Sequence, residues 1–358
     1  MGKTVRARLA LEDGTCFEGR AFGHITESAG EAVFFSGTVG YQEVLTDPAF
    51  AGKIVVWTNP LAGNYGFNLE DFESPEVRAR GFVMREGCAH PNNWRCEMDM
   101  DGFFRQYKIV GLEGVDTRAL TRHLRMNGSM RALIDVDGLS PVETACKLNE
   151  ANNVNLISGV TAAETHIIEG TGSGGRAAVL DLGITRSLLG ELKKRFSELT
   201  VFPAFTPPYE IMQGDFDSLV ISNGPGRPED APPEIQSILR ILLNETDIRV
   251  FGVSLGCLLI ASVLGCGVEK MKYGHRGCAV PVRDTTTGRL CITNQTHGHV
   301  INKLGDGVTA TFVNVNDGTA EGISGFGGRA SGVMFSPVTN GTPAGTGFIL
   351  DNFSKWRP

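Results

Sequence analysis

The sequence predicts an α/β protein in two parts: a β-rich α+β domain, then an α/β domain built on a mainly parallel sheet. Three observations predict it. Short apolar or alternating runs crowd the beginning of the chain, strand-like and helix-like runs alternate after residue 176, and the glycine-rich "EGTGSGGR" (Glu169 to Arg176) lies between the two regimes. With 358 residues the chain is long enough for two full cores. The expected boundaries are a first domain over 1–150, a flexible linker over 151–175 and a second domain over 176–358.

In chain order, "VRARLAL", "TCFEGRAF", "EAVFFSGT" and "KIVVWTNP" read as strands of the first domain. "DTRALTRHLRMNG" reads as a helix, capped by Asp116 or Thr117 and ended by Asn127-Gly128. After the linker, "AAVLDLG" predicts a strand, "TRSLLGELKKRF" a helix and "LTVFPAF" a second strand. "FDSLVISNGPG" and "IRVFGVSLG" are strands ending in glycine turns, with the helix "PPEIQSILRILLNE" between them. Such alternation implies parallel strands with ligand sites at their carboxyl ends, where both glycine turns fall.

Composition excludes several classes. A net charge of −7 with no block of Lys or Arg argues against a nucleic-acid surface. No apolar stretch reaches membrane-spanning length, and "MGKTVRARLALEDGT" lacks the apolar core of a signal peptide. Eight cysteines are scattered without a C-x-x-C pair, which predicts reduced thiols in a cytoplasmic protein and no zinc ribbon. Neither a metal site nor a cofactor is expected.

"GVSLG", Gly252 to Gly256, fits G-x-S-x-G, which lifts a nucleophile onto a tight strand-to-helix turn. Ser254 would occupy the apex, but a serine hydroxyl is inert without a base.

Longer strings carry a family resemblance. "GYQEVLTDPAFAGKIVV", "PLAGNYGFN", "VDTRALTRHLR", "SNGPGRP", "MKYGHRG", "THGHVI" and "NDGTAEGI" occur in order along the chain. The second domain resembles a class I glutamine amidotransferase, and the whole chain resembles the small subunit of carbamoyl-phosphate synthetase. The resemblance implies an amidotransferase-like α/β fold and docking on a large ATP-grasp synthetase subunit. In active members, an elbow cysteine in G-x-C-x-G attacks the glutamine amide. The histidine of a later H-P-E string moves protons, and its glutamate orients that histidine.

This chain departs from that pattern at all three positions: the elbow holds Ser254, and H-P-E is replaced by Ser336, Pro337 and Val338. The pocket positions implied by the resemblance are Gly37, Gly224, Gly226, Leu255, Gly256, Leu258, Thr296, Gly298 and His299. Leu258 stands where the family has an amide, and Thr296 and His299 alter Q-N-H-G-F. Gly37 replaces a serine, with Ser36 beside it. Fold-making glycines stay and chemistry-making side chains leave, as expected of a pseudo-glutaminase with no catalytic residue, serving a synthetase that uses ammonia or another nitrogen donor.

Two alternatives remain: an interaction or scaffold protein no longer tied to carbamoyl phosphate, and a Ser254-based hydrolase or amidotransferase, for which Ser254, Asp284 and His297 give one candidate triad. His297 otherwise reads as a hydrogen-bonded structural histidine, and Cys257, one turn into the next helix, as a buried thiol. Asn223 to Gly226 reads as a retained turn or a residual anion cradle. The charges of Asp116, Arg118, Arg122 and Arg125 read as a solvated face or a docking contact.

Overall fold

The computed structural model describes residues 5–150, 155–338 and 345–355. The chain forms two compact units, Met1–Val154 and Asn155–Pro358.

The first unit is a closed seven-stranded barrel. Around it run Val5–Leu11, Cys16–Gly23, Val110–Glu113, Gly81–Val83, Lys53–Trp57, Ser28–Phe35 and Met130–Asp135, and the last pairs back onto the first. Strands such as Lys53–Trp57 and Ser28–Phe35 bury consecutive apolar residues, which face both sides of the wall, and Trp57, Phe35 and Phe82 are fully buried. Phe35 stacks on Trp57 with ring centroids 5.6 Å apart, an aromatic contact that adds to area burial.

The expected helix spans Thr117–Asn127. The Asp116 side chain accepts from the Ala119 N–H at 2.9 Å, and Gly128 ends the helix at φ 101°, a conformation that disfavours a side chain. Leu120 and Leu124 face the core, while Arg118, Arg122 and Arg125 are exposed.

"GYQEVLTDP" serves the interior of this unit. Tyr41, Gln42, Val44, Leu45 and Thr46 are buried in the helix Tyr41–Thr46. Tyr41 stacks on Tyr65 at 4.3 Å and donates its hydroxyl hydrogen to the Gly66 carbonyl at 2.8 Å. Packing is therefore sufficient reason for the string, whatever surface the unit offers a partner.

The second unit is built on a ten-stranded sheet. Its centre is parallel: Glu198–Pro203, Arg176–Asp181, Ser218–Ile221, Arg249–Val253 and Ala330–Val333 lie side by side. Beyond Ala330–Val333 an antiparallel extension adds Ala320–Gly325, Leu290–Lys303, Gly267–Asp284 and Thr309–Asn314. Helices Arg186–Lys193, Pro233–Glu245 and Leu255–Val263 follow or separate the central strands, as the alternation predicts. Their apolar residues divide between two cores, one containing Leu239, Leu258 and Ile221, the other Leu192, Phe251 and Val338.

The glycine-rich stretch differs from the linker expected over 151–175. His166–Glu169 is already a strand of the sheet, paired with Glu198–Pro203. The N–H groups of Gly170, Gly172 and Gly174 donate to the carbonyls of Ser197, Phe196 and Arg195 at 2.8–3.0 Å. A Cβ at Gly172 would lie 2.0 Å from the Arg195 carbonyl carbon. The glycines allow close backbone approach here, where composition alone suggests flexibility.

Candidate functional site

Three loops leave the carboxyl ends of neighbouring parallel strands. Asn223 to Gly226 follows Ser218–Ile221, Ser254 follows Arg249–Val253, and the segment with Ser336 and Val338 follows Ala330–Val333. Sheet pairing sets Arg249–Val253 between the other two strands, so the Ser254 turn has one of the other loops on each side.

Ser254 has φ 51° and ψ −106°, outside the regions that side-chain-bearing residues favour. The turn is clamped on both sides: the Ser254 N–H donates to the Val333 carbonyl at 2.8 Å, and the Leu258 N–H donates to the Ser254 carbonyl at 3.0 Å. The flanking glycines have no room for alternatives. A Cβ at Gly252 would lie 2.4 Å from the Gly256 carbonyl carbon, and one at Gly256 would lie 2.2 Å from the Ile221 carbonyl oxygen. Gly224 is equally confined, its Cβ position 2.3 Å from the Leu182 carbonyl oxygen, and Gly226 takes φ 88°. The sequence motif is thus a true elbow.

The side chains around it are apolar or small. Leu255, Cys257 and Leu258 are buried in the core beneath the turn. Burial pushes the Cys257 thiol well above the usual range, with the Glu321 carboxylate nearby adding to it, which suits an inert thiol. Ser336 sits in a bridge to Asn294, its N–H donating to that carbonyl at 2.9 Å. Val338 is 5% exposed and packs among apolar side chains. Thr296 and Gly298 lie on Leu290–Lys303 near Arg276, whose guanidinium would be 2.7 Å from a Cβ at Gly298. His299 is half-buried on the same strand, and Gly37, buried, belongs to the first unit.

The triad of Ser254, Asp284 and His297 does not assemble. Asp284 accepts from the N–H groups of Thr286 and Thr287 in the turn after its strand. His297 Nδ1 bonds the His299 carbonyl at 2.8 Å and its Nε2 faces Glu321 at 3.3 Å.

The sequence reading missed His275 and Glu321. The Glu321 carboxylate, fully buried, has His275 Nδ1 at 3.0 Å and the Asn314 side-chain amide at 2.8 Å. Burial alone would raise its pKa; the nearby His297 ring and hydrogen bonds from His275 and Asn314 overcome this and hold it at about 2. The signal was available as "MKYGHRG" and "NDGTAEGI", but nothing local says that the two strings meet.

Among the described residues, no helix is long and apolar enough to cross a membrane.

Comparison with known proteins bears on the whole chain. A family model described as "Carbamoyl-phosphate synthase small chain, CPSase domain" matches residues 9–134, and "Glutamine amidotransferase class-I" matches residues 178–356. The carbamoyl phosphate synthase small chain of Clostridium perfringens is 41% identical over 352 residues, covering 98% of this chain and 99% of the relative. That of Archaeoglobus fulgidus is 39% identical, covering 98% of both chains. That of Bacillus caldolyticus is 37% identical, covering 98% of this chain and 96% of the relative.

Proposed function

Since this chain belongs to the carbamoyl-phosphate synthase small-chain family, with a class I glutamine amidotransferase domain, we propose that it is a small subunit that has lost glutamine hydrolysis. It would support a large ATP-dependent synthetase subunit that draws on ammonia or another nitrogen donor. What supports the reading is the segment after Ala330–Val333, where the resemblance puts Ser336 and Val338 in the places of a proton-moving histidine and its orienting glutamate. Val338 is packed in a core with apolar neighbours, so no carboxylate acts from there. Without a base, Ser254 offers a neutral hydroxyl, and in a serine protease losing the triad costs on the order of 10⁶ in turnover.

The test is co-expression with the large subunit, followed by assay of carbamoyl phosphate from ATP, bicarbonate and either nitrogen source. Ammonia should support synthesis and glutamine should not. Glutamine-dependent synthesis that disappears in Ser254→Ala overturns the reading, and independent elution of the two subunits on size exclusion removes the partnership.

One observation favours a second reading, a Ser254-dependent hydrolase: the strained backbone at Ser254 is a conformation that functional apices keep. A fluorophosphonate probe distinguishes the two, because only an activated serine becomes labelled.

A further inference from the structure

Three strands of the antiparallel extension bring His275, His297 and Glu321 together. His275 and His297 are direct register partners on Gly267–Asp284 and Leu290–Lys303, and Glu321 opens the neighbouring Ala320–Gly325. One ligating atom from each residue can be chosen so that all three lie within 4.8 Å of one another. His297 is 4% exposed and Glu321 fully buried, so solvent does not supply their missing partners.

The outer nitrogen of each ring is already committed. His275 Nε2 lies 2.8 Å from the Asp317 carboxylate, and His297 Nδ1 lies 2.8 Å from the His299 carbonyl. Both partners only accept, so each outer nitrogen carries a proton. In the neutral rings the inner nitrogens, His275 Nδ1 and His297 Nε2, then present lone pairs. Both face the Glu321 carboxylate, at 3.0 and 3.3 Å. His297 Nε2 and Glu321 Oε2 make no hydrogen bond although both are buried. Nitrogens facing a buried carboxylate call for positive charge between them, supplied either by a second proton on each ring or by one metal ion shared by all three side chains.

We propose that His275, His297 and Glu321 form a site for a divalent transition-metal ion, with zinc the natural occupant. Imidazole nitrogen and carboxylate oxygen are zinc ligands, and two histidines with one glutamate is an established zinc donor set. Ligand atoms about 2.0–2.1 Å from a tetrahedral zinc stand about 3.3 Å apart, close to the separations from each ring to the carboxylate. Asp317 and the His299 carbonyl hold the outer nitrogens as supporting acceptors do around metal-bound histidines, fixing tautomer and ring orientation. The charges also balance: the Glu321 and Asp317 carboxylates offset a dication on two neutral rings. A fourth coordination position is left for water. The ion would brace the segment bearing Ser336, because the Met334 N–H donates to the Glu321 carbonyl at 2.8 Å.

The test uses the full chain, stripped with a chelator, dialysed, and titrated with zinc chloride or cobalt(II) chloride. One zinc per chain by elemental analysis, the visible bands of four-coordinate cobalt, and an unfolding temperature raised by several degrees with zinc are expected. Glu321→Gln, which keeps the side-chain volume, should weaken zinc binding at least tenfold, and Asp317→Asn by about 10–100-fold through the supporting contact. Parent protein that keeps no zinc and gives no cobalt bands overturns the proposal; the inner nitrogens are then protonated, which ¹⁵N shifts of the two rings would show directly. Stoichiometric binding left unchanged in both variants also overturns it, since the metal would then sit on cysteine thiols elsewhere.

Discussion

Ser254→Gly should make the second unit more stable than Ser254→Ala does. The backbone at this position, φ 51° and ψ −106°, is open to glycine and strained for any residue with a Cβ. Strain of this kind costs about 1–3 kcal/mol when the surroundings enforce it. Enforcement is visible in the Val333 and Leu258 hydrogen bonds and in the crowding at Gly252 and Gly256. Glycine gives back part of the gain through the greater freedom of the unfolded chain, about 0.5–1 kcal/mol. The net advantage over alanine is about 1 kcal/mol, rising to about 2.5 kcal/mol where the strain is greatest. Alanine is the right reference because it removes the hydroxyl and keeps the Cβ, so the comparison isolates strain from chemistry. Urea unfolding, with hydrogen exchange read at the amides of Leu255–Val263, reports the second unit directly. For a unit of this size the thermal midpoint should move about 2–4 °C per kcal/mol. Ser254→Gly equal to or less stable than Ser254→Ala would refute the reasoning and mean that the elbow relaxes freely.

Gly256→Ala should destabilise the second unit by about 1–3 kcal/mol, because its methyl group meets the Ile221 carbonyl oxygen at 2.2 Å and neither backbone can retreat. Gly190→Ala, inside Arg186–Lys193 with open space at the Cβ position, should instead stabilise by about 0.5–1 kcal/mol; the same thermal melts check both. In the first unit, burial, with Asp71 and Glu73 nearby, pushes the Glu43 carboxyl up to about 7. A raised carboxyl pKa favours folding below the unfolded value near 4.5 and loses that contribution as pH rises through about 7, so Glu43→Gln should flatten the decline in stability between those limits. A pH series of urea midpoints that is unchanged by the substitution would contradict this. Restoring the triad with Ser254→Cys, Ser336→His and Val338→Glu should leave glutaminase activity near background. On the proposed reading Leu258, packed in the core, offers the substrate no hydrogen bond, and reaction also demands that the substrate amide sit about 3–3.5 Å from the nucleophile. Saturable glutamine turnover by the triple variant would count against a degraded pocket.

What could be read from the chain depended on how local each signal was. The elbow at Ser254 and the helix with its Asp116 cap were legible because glycines, caps and apolar periodicity act within a few residues. Barrel closure in the first unit was not, since it rests on Val5–Leu11 meeting Met130–Asp135 across the whole domain. The antiparallel extension was hidden similarly: Gly267–Asp284 carries three register irregularities against its partner, which break the simple alternation a strand shows in sequence. His275 and Glu321 meet only because those strands pair. The glycine-rich stretch over 169–176 misled for a different reason. Glycine permits both loose coil and tight backbone contact, and only the carbonyls of Arg195, Phe196 and Ser197 decide which.

Closure of the first unit's barrel also limits how another chain can grip it. Each of its seven strands has a neighbour on both sides over part of its length, so only short margins such as Val5–Ala7 and Cys16–Gly19 keep one side unpaired. Recognition by main-chain ladder, which tolerates many sequences, is thereby confined to those margins. A protein that binds the rest of this wall reads side chains and loop tips, where identity matters position by position. The second unit is less closed: one end of its sheet is His166–Glu169, four residues whose side chains are largely exposed, and Gly267–Asp284 has a partner on its second side only at Val282–Asp284. At the short margin, the ionisable His166 and Glu169 at its two ends discourage unintended pairing between copies of this chain.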